Sequence, residues 1–295
     1  MLVPVRKEHP VSAVLVRNLN EHTYHNDTTT LSASGAKILL GKRPPAPDSE
    51  ALAFGRLVHT VILEPQNLDT YAVLNADEIG LTVKGEKSDN PKATKAWREA
   101  VFAAKRDGLT VIDPAELAHA QALADAIAAH PEAGRLLAAA TEHELSAYAE
   151  HPSGARVRAR FDLVIPGSLG DIKACRDADP KMFDRTVHAL GYHISAANYI
   201  DIARANGLTV DRFDLICVEK EPTPGGEYRV AVMEIHKDAI EKGRELMADA
   251  CARWLALGKC INLPSYGDGR HVVDLPPYVY NADFEDIQIN LGEAS

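Results

Sequence analysis

Within Ser49 to Leu63, residues Leu52, Leu57, Val61 and Ile62 recur at mixed three- and four-residue spacings. That is the period of a helix with one buried face, and Pro65 closes it. Ser32 to Leu40 opens on hydroxyl side chains and continues through Ile38, Leu39 and Leu40, which predicts a short capped helix stopped by Gly41. Lys92 to Arg106 and Pro114 to Ala129 are Ala-rich and amphipathic, predicting two helices joined across Leu109 to Ile112, with His130-Pro131 ending the second. From Glu144 the pattern changes to alternation. Glu144 to Glu150, Ala155 to Ile165 and Leu169 to Ile172 predict three consecutive antiparallel strands, separated by turns at Pro152-Ser153-Gly154 and Pro166-Gly167-Ser168. Lys181 to Asn206 returns to helical spacing, and Phe213 to Glu219 with Glu227 to Ile235 predicts a strand pair across Pro222 to Gly226. Lys237 to Leu257 closes with a long helix.

Helices, three strands, helices, two strands and a helix make an α/β (α+β) chain with a central mixed sheet flanked by helices. We expect a single domain over residues 1–295: an irregular arm at 1–30, a core at 31–258, and a tail at 259–295 with aromatic and Pro punctuation but no period. With 46% hydrophobic and 25% charged residues, the composition is that of a folded globular protein, which excludes disorder. No run of roughly 18 apolar residues exists, so no membrane span is expected. Met1 to Pro10 carries Arg6, Lys7 and Glu8 with no apolar stretch after them, which points to no secretory signal and a cytoplasmic location. Cys175, Cys217, Cys251 and Cys260 are too scattered for a zinc finger or an iron–sulfur cluster, so we expect no iron–sulfur cluster and reduced thiols packed as small apolar residues. The net charge of −10 excludes a general cationic coat for nucleic acid but leaves room for a local basic channel.

The alternating region concentrates ionisable groups: Arg156, Arg158, Arg160, Asp162, Asp171 and Lys173. On a strand the first four, spaced by two, share a face, and so do Asp171 and Lys173 on the next. If these strands pair through Pro166 to Ser168, Asp162 and Asp171 come within reach of one divalent cation. Two adjacent carboxylates need such a counterion, and Mg²⁺ or Mn²⁺ supplies it. Lys173 then brings an ammonium that can position a nucleophile or offset charge on a phosphoryl oxygen. The same spacing also fits a solvated strand face carrying a ladder of ion pairs.

Five motifs follow one another along the chain: Phe54-Gly55-Arg56-Leu57-Val58-His59 running on to Glu64-Pro65, Glu144-Leu145-Ser146-Ala147-Tyr148, Arg158-Ala159-Arg160-Phe161-Asp162, Asp171-Ile172-Lys173, and Tyr192-His193 with Tyr199. Together they resemble the RecE-type (exonuclease VIII) nucleases of the PD-(D/E)xK superfamily, related more distantly to lambda exonuclease and the RecB nuclease domain. Leu31-Ser32-Ala33-Ser34 is similar to that family's opening Ser-x-Ser helix, and Leu263-Pro264-Ser265-Tyr266 with Leu275-Pro276-Pro277-Tyr278 to its closing tail. The resemblance implies a restriction-endonuclease-like fold. It makes His59, Asp162 and Asp171 metal-site residues, Lys173 the catalytic lysine, the Ile172 carbonyl a further ligand, and Glu144 a ligand directly or through water. Taken alone, His59 fits equally a core histidine donating to a carbonyl.

For DNA contacts, the resemblance points to Ser32 and Ser34 at a helix start, with Ser34 nearest the 5′-phosphate site; both also read as plain N-caps. Arg56 lies one helical turn before His59 and so shares its face. Arg158, Arg160 and Tyr199 complete the expected DNA-binding set. This chain departs from the family pattern at Ser195, where Gln is common, and at Ala174-Cys175, where Thr is usual. The implied activity is Mg²⁺-dependent hydrolysis of double-stranded DNA ends in the 5′-to-3′ direction. A homo-oligomeric toroid around the duplex and a single-strand annealing protein are its implied partners. The alternatives are a RecB- or Cas4-like nuclease acting on single strands or particular structures, and a non-catalytic binding module that keeps the fold.

Overall fold

Helices cover both faces of a sheet built mainly from the alternating segments in the middle of the chain. A computed structural model describes residues 13–42, 49–82, 84–261, 269–270, 272–275 and 280. Two compact units are present, residues 1–261 and 262–295. In the second, Asp274 accepts from the Leu275 amide at 2.7 Å and from the Tyr280 hydroxyl. The N-terminal Met1 to Pro10, the Pro-rich turn at Pro44 to Pro47, Leu263-Pro264-Ser265-Tyr266 and Pro276-Pro277-Tyr278 lie outside the described residues.

The first unit runs β1 (Val14–Val16), α1 (Glu21–His25), β2 (Leu31–Ser32), α2 (Ala33–Leu39), α3 (Glu50–Leu63), β3 (Tyr71–Val73), α4 (Ala76–Ile79), α5 (Lys95–Arg106), β4 (Thr110–Ile112), α6 (Pro114–Ala129) and α7 (Pro131–Ala139). It continues with β5 (Glu142–Glu150), β6 (Arg156–Ile165), β7 (Gly167–Cys175), α8 (Phe183–Leu190), α9 (Tyr192–Ala205), β8 (Val210–Glu219), β9 (Val230–Glu234) and α10 (Lys237–Ala256). The main sheet has the order β1-β5-β6-β7-β8-β9, with β2 also on β6, and β3 and β4 form a separate parallel pair. Strand β8 runs parallel to β7, and β2 parallel to β6; the other neighbours are antiparallel, so the sheet is mixed as expected.

One face buries Leu39 of α2, Ile194 and Ile200 of α9 and Trp254 of α10 against Leu145, Phe161, Phe213 and Leu215. The other buries Leu57, Val58 and Val61 of α3 with Leu123 and Ile127 of α6 against Leu163, Ile172 and Ile216. Alternation therefore decides which face each strand residue serves. It fails at one place. Val157, Ala159 and Phe161 face the α9 side, yet Leu163 and Ile165 face the α3 side, so the period-two rule breaks at Asp162.

Three expectations change. The N-terminal arm is not irregular throughout: β1 adds to the sheet edge by pairing with β5, and α1 follows. The helix expected over Lys181 to Asn206 is two helices, because Gly191 at φ +64° takes the left-handed conformation that ends α8. Strand β7 extends to Cys175, beyond the expected end at Ile172, because β8 pairs along its whole length.

Helices α9 and α10 pack at a distance that only glycine permits. A Cβ at Gly243 of α10 would lie 2.1 Å from the His193 carbonyl of α9. Gly243→Ala is therefore predicted to destabilise the fold by about 1–3 kcal/mol, the usual cost of overpacking, read as a lower urea midpoint with an unchanged slope.

Candidate metal centre

The site forms where two strands part. Strands β6 and β7 pair only from Leu163↔Gly170 to Ile165↔Ser168, next to their turn. Farther out, β2 pairs with β6 at Leu31↔Val157 and Ser32↔Arg158. Gly170 lets the last rungs close, since a Cβ there would sit 2.9 Å from Leu163 Cδ1. Just past that rung stand Asp162 and Asp171, both 7% exposed. The Ile172 amide donates to Asp162 Oδ2 at 2.8 Å.

Three elements converge on this fork. Helix α3 buries Leu57, Val58 and Val61, which turns His59 toward the sheet. His59 Nε2 lies 2.9 Å from the Ile172 carbonyl and 3.7 Å from Asp162 Oδ2, and Nδ1 lies 3.3 Å from Glu144 Oε1. The rungs His143↔Leu163 and Leu145↔Phe161 bracket Glu144, setting it opposite Asp162. Its backbone takes φ +47°, a conformation that costs a non-glycine residue on the order of 1–3 kcal/mol and clusters at functional sites. Arg160 holds the other Glu144 oxygen at 2.5 Å, donates to the Leu19 carbonyl at 3.0 Å and reaches Glu64 at 3.5 Å. Lys173 Nζ lies 2.6 Å from Asp171 Oδ2 and donates to the Ile172 carbonyl at 3.2 Å.

The electrostatics describe a pocket short of positive charge. Burial, with the neighbouring Asp171 charge, pushes the Asp162 carboxyl up to about 7. Burial alone lowers the His59 imidazole, but the Asp162 charge and the Glu144 hydrogen bond outweigh it and hold it at about 9. Glu144 is raised by burial and lowered more by His59 and Arg160, ending below its ordinary range. Lys173, opposed by burial, is held well above its ordinary range by Asp171 and Asp162.

Ligand atoms of His59, Glu144 and Asp162 all lie within 4.8 Å of one another. An imidazole, two carboxylates and the adjacent Ile172 carbonyl are a donor set suited to a divalent cation, and the raised Asp162 is the orphaned negative charge such an ion would relieve. Asp171 is not in that group; its carboxylate is engaged by Lys173.

The remaining expected residues divide. Arg160 is spent on Glu144 and Glu64. Arg158 is 6% exposed, donates to the carbonyls of Asp27 and Thr30 at 2.6 Å each, and lies 5.2 Å from the Tyr24 ring centroid. That burial fastens the N-terminal segment to β6 and leaves Arg158 no face for DNA. Tyr199 packs edge-on between Phe161 and Phe213. The Ser32 hydroxyl caps α2 by accepting from Gly35 at 3.2 Å, whereas Ser34 and Arg56 are exposed and Ser195 is half-buried. Glu64 and Lys37 had no assigned role in the sequence. The available signals were the place of Glu64 just past the His59 helix and that of Lys37 three residues after Ser34, on one helix face.

Residues 32–272 match a family model described as a PDDEXK-like domain of unknown function, DUF3799. The chain belongs to this PDDEXK-like family. Among solved structures, the DUF3799 chain is similar to a candidate exonuclease from Eubacterium rectale at a TM-score of 0.55 and 18% identity, covering 89% of this chain and 97% of that one. It also matches an alkaline exonuclease, LHK-Exo, from Laribacter hongkongensis at a TM-score of 0.27 and 13% identity, covering 66% and 93%. A second LHK-Exo structure, in complex with dAMP, matches at 0.30 and 11%, covering 78% and 90%. No curated protein matches the sequence. The likeness to the Eubacterium rectale structure, at 18% identity, shows the fold alone.

Two outcomes follow from the site's charge. The Asp162 carboxyl, raised from 3.8 to about 7, opposes folding once ionised, so metal-free stability falls as pH rises through that window. His59, raised from 6.5 to about 9, contributes stability that is full below 6.5 and lost as pH passes 9. At pH 8, Asp162→Asn is predicted to keep or raise the metal-free melting temperature, by about 2–4 °C for each kcal/mol relieved, while abolishing the rise that Mn²⁺ gives the parent. Because a cation must displace the His59 proton, the Mn²⁺-induced rise in the parent should grow from pH 6 to pH 9. A calorimetric scan across pH with Mn²⁺ or EDTA checks both.

Proposed function

We propose that this protein is a metal-dependent exodeoxyribonuclease that hydrolyses double-stranded DNA from an end, 5′ to 3′, in phage-type homologous recombination. The observation that carries the reading is the convergence of His59, Glu144 and Asp162 beside the Asp171–Lys173 pair at the strand fork of a PDDEXK-like fold. The exonuclease name of the Eubacterium rectale neighbour is consistent with it. Polarity, duplex preference and a recombination setting with a single-strand annealing protein rest on the RecE-type motif order.

His59, Glu144, Asp162 and the Ile172 carbonyl would hold a divalent cation, which would supply positive charge against the scissile phosphate and make a nearby water more acidic. Asp171 is assigned to the same ion on the RecE-type motif order alone, since its carboxylate is engaged by Lys173. Lys173 stays protonated, so its ammonium orients the water and offsets charge gathering on the phosphoryl oxygens. Arg160 keeps the Glu144 carboxylate aimed at His59. Arg56, one helical turn before His59, and Ser34, both exposed, are assigned to the DNA backbone. With a net charge of −10, duplex retention is assigned to a homo-oligomeric ring around the DNA rather than to surface attraction.

End-labelled linear duplex should lose 5′ nucleotides with Mg²⁺ and not with EDTA, and covalently closed circles and single strands should persist. Lys173→Met and Asp162→Asn are each expected to lower the rate by about 10²–10³-fold or more. Because one donor is nitrogen, Mn²⁺ should half-activate at a lower concentration than Mg²⁺. Cutting of closed circles, or activity that survives EDTA, overturns the proposal.

A further inference from the structure

Beside the metal centre stands a second lysine, Lys37, that makes no ion pair among the described residues. Lys37 of α2 places its Nζ 5.7 Å from the Tyr192 ring centroid, and Lys173 places its own 5.9 Å from the same centroid. The two ammonium groups thus share one aromatic ring. The stem of Lys37 passes over Gly191, where a Cβ would come within 3.2 Å of Lys37 Cε, so the break between α8 and α9 leaves the lane it occupies. Lys173 has the Asp171 carboxylate at 2.6 Å. Among the described residues, no carboxylate or carbonyl accepts from Lys37 Nζ. Burial and the nearby Lys173 charge lower its ammonium to about 8, with Asp171 opposing them at longer range and Lys42 adding to them. Lys42 itself is occupied, donating to the carbonyls of His188 and Ala189 at 2.8 and 3.3 Å.

A half-buried cation without a counterion among the described residues is costly, and here a like charge adds to the cost. One ring shared by two cations offsets only part of it. In a protein whose net charge is −10, a lysine next to the reactive lysine with no ion pair among the described residues is a place where an anion from outside completes the balance.

We propose that Lys37 binds a phosphate group of the bound nucleic acid next to the scissile one, with Tyr192 packed against both Lys37 and Lys173. This inference rests on the nuclease reading above and deepens it: Lys173 serves the reacting phosphate, and Lys37 holds a neighbour that does not react. The contact should therefore act on binding and leave the chemical step nearly unchanged.

The test uses the full chain and short fluorescent duplexes carrying a 5′-phosphate or a 5′-hydroxyl. Anisotropy is measured with Ca²⁺ across a salt series, and cleavage kinetics with Mn²⁺. Lys37→Met, which keeps the stem and loses the charge, is expected to weaken binding about 5- to 10-fold. It should also reduce the slope of log affinity against log salt by about one, the share of a single phosphate. KM should rise by a similar factor with kcat within about 2-fold, and Lys37→Arg should restore binding. Equal weakening for both duplexes assigns the contact to a phosphodiester, and weakening for the 5′-phosphate duplex alone assigns it to a terminal phosphate. Lys37→Gln serves in place of Lys37→Met if the latter melts early. A parent that binds and cuts duplex while both neutral variants match it in affinity and salt slope overturns this inference alone. A parent that neither binds nor cuts removes the nuclease reading and this inference with it.

Discussion

The peptide unit at Ile172 is the point on which the site depends. In a strand, the amide and carbonyl of one residue point to the same edge, where they normally continue the ladder. Here β6 has parted from β7, and the Ile172 amide donates to Asp162 while its carbonyl receives Lys173 and faces His59 Nε2. The strand edge has exchanged a backbone partner for three ionisable side chains. Their charges are thereby held close together, because moving Asp162 away leaves the Ile172 amide unpaired, and moving His59 and Lys173 away together does the same to its carbonyl.

That geometry sets the charge problem the rest of the site answers. Asp162 is buried beside Asp171, so part of the negative charge has no local remedy, and a protonated His59 together with Lys173 covers what it can. Arg160 plays a quieter part, pinning Glu144 and tying it to Glu64 past the end of α3. The left-handed backbone of Glu144 stores strain opposite the same aspartate. The donors of His59, Glu144 and Asp162 are already assembled, so a cation bound there would require little further ordering.

Much of this was legible in the residues. Alternation gave β5, β6 and the start of β7, and the period of α3 placed His59 on a helix that packs on the sheet. Period-two spacing brought Asp162 toward Asp171. It misled where it was extended too far: Arg158 and Arg160 share a parity, yet one anchors Tyr24 and Thr30 and the other orients Glu144. What separates them is β2, which covers the outer end of β6 and is only two residues long. The break of alternation at Asp162 was equally hidden, because it arises from strands diverging and from a backbone angle at Glu144 that no side chain announces. Lys37 lay in a segment read for its serines, and its meaning depends on Tyr192, which comes from a helix far along the chain.

The central claim is that the strand fork is a metal centre, and a Mn²⁺-soaked crystal measured at the manganese absorption edge tests it most directly. One anomalous peak is expected within bonding distance of a His59 nitrogen and of Glu144, Asp162 and Ile172 oxygens, with the hydrogen bond between His59 and the Ile172 carbonyl broken. An occupied manganese peak elsewhere on the molecule, with His59, Glu144 and Asp162 still bound to one another, would contradict it.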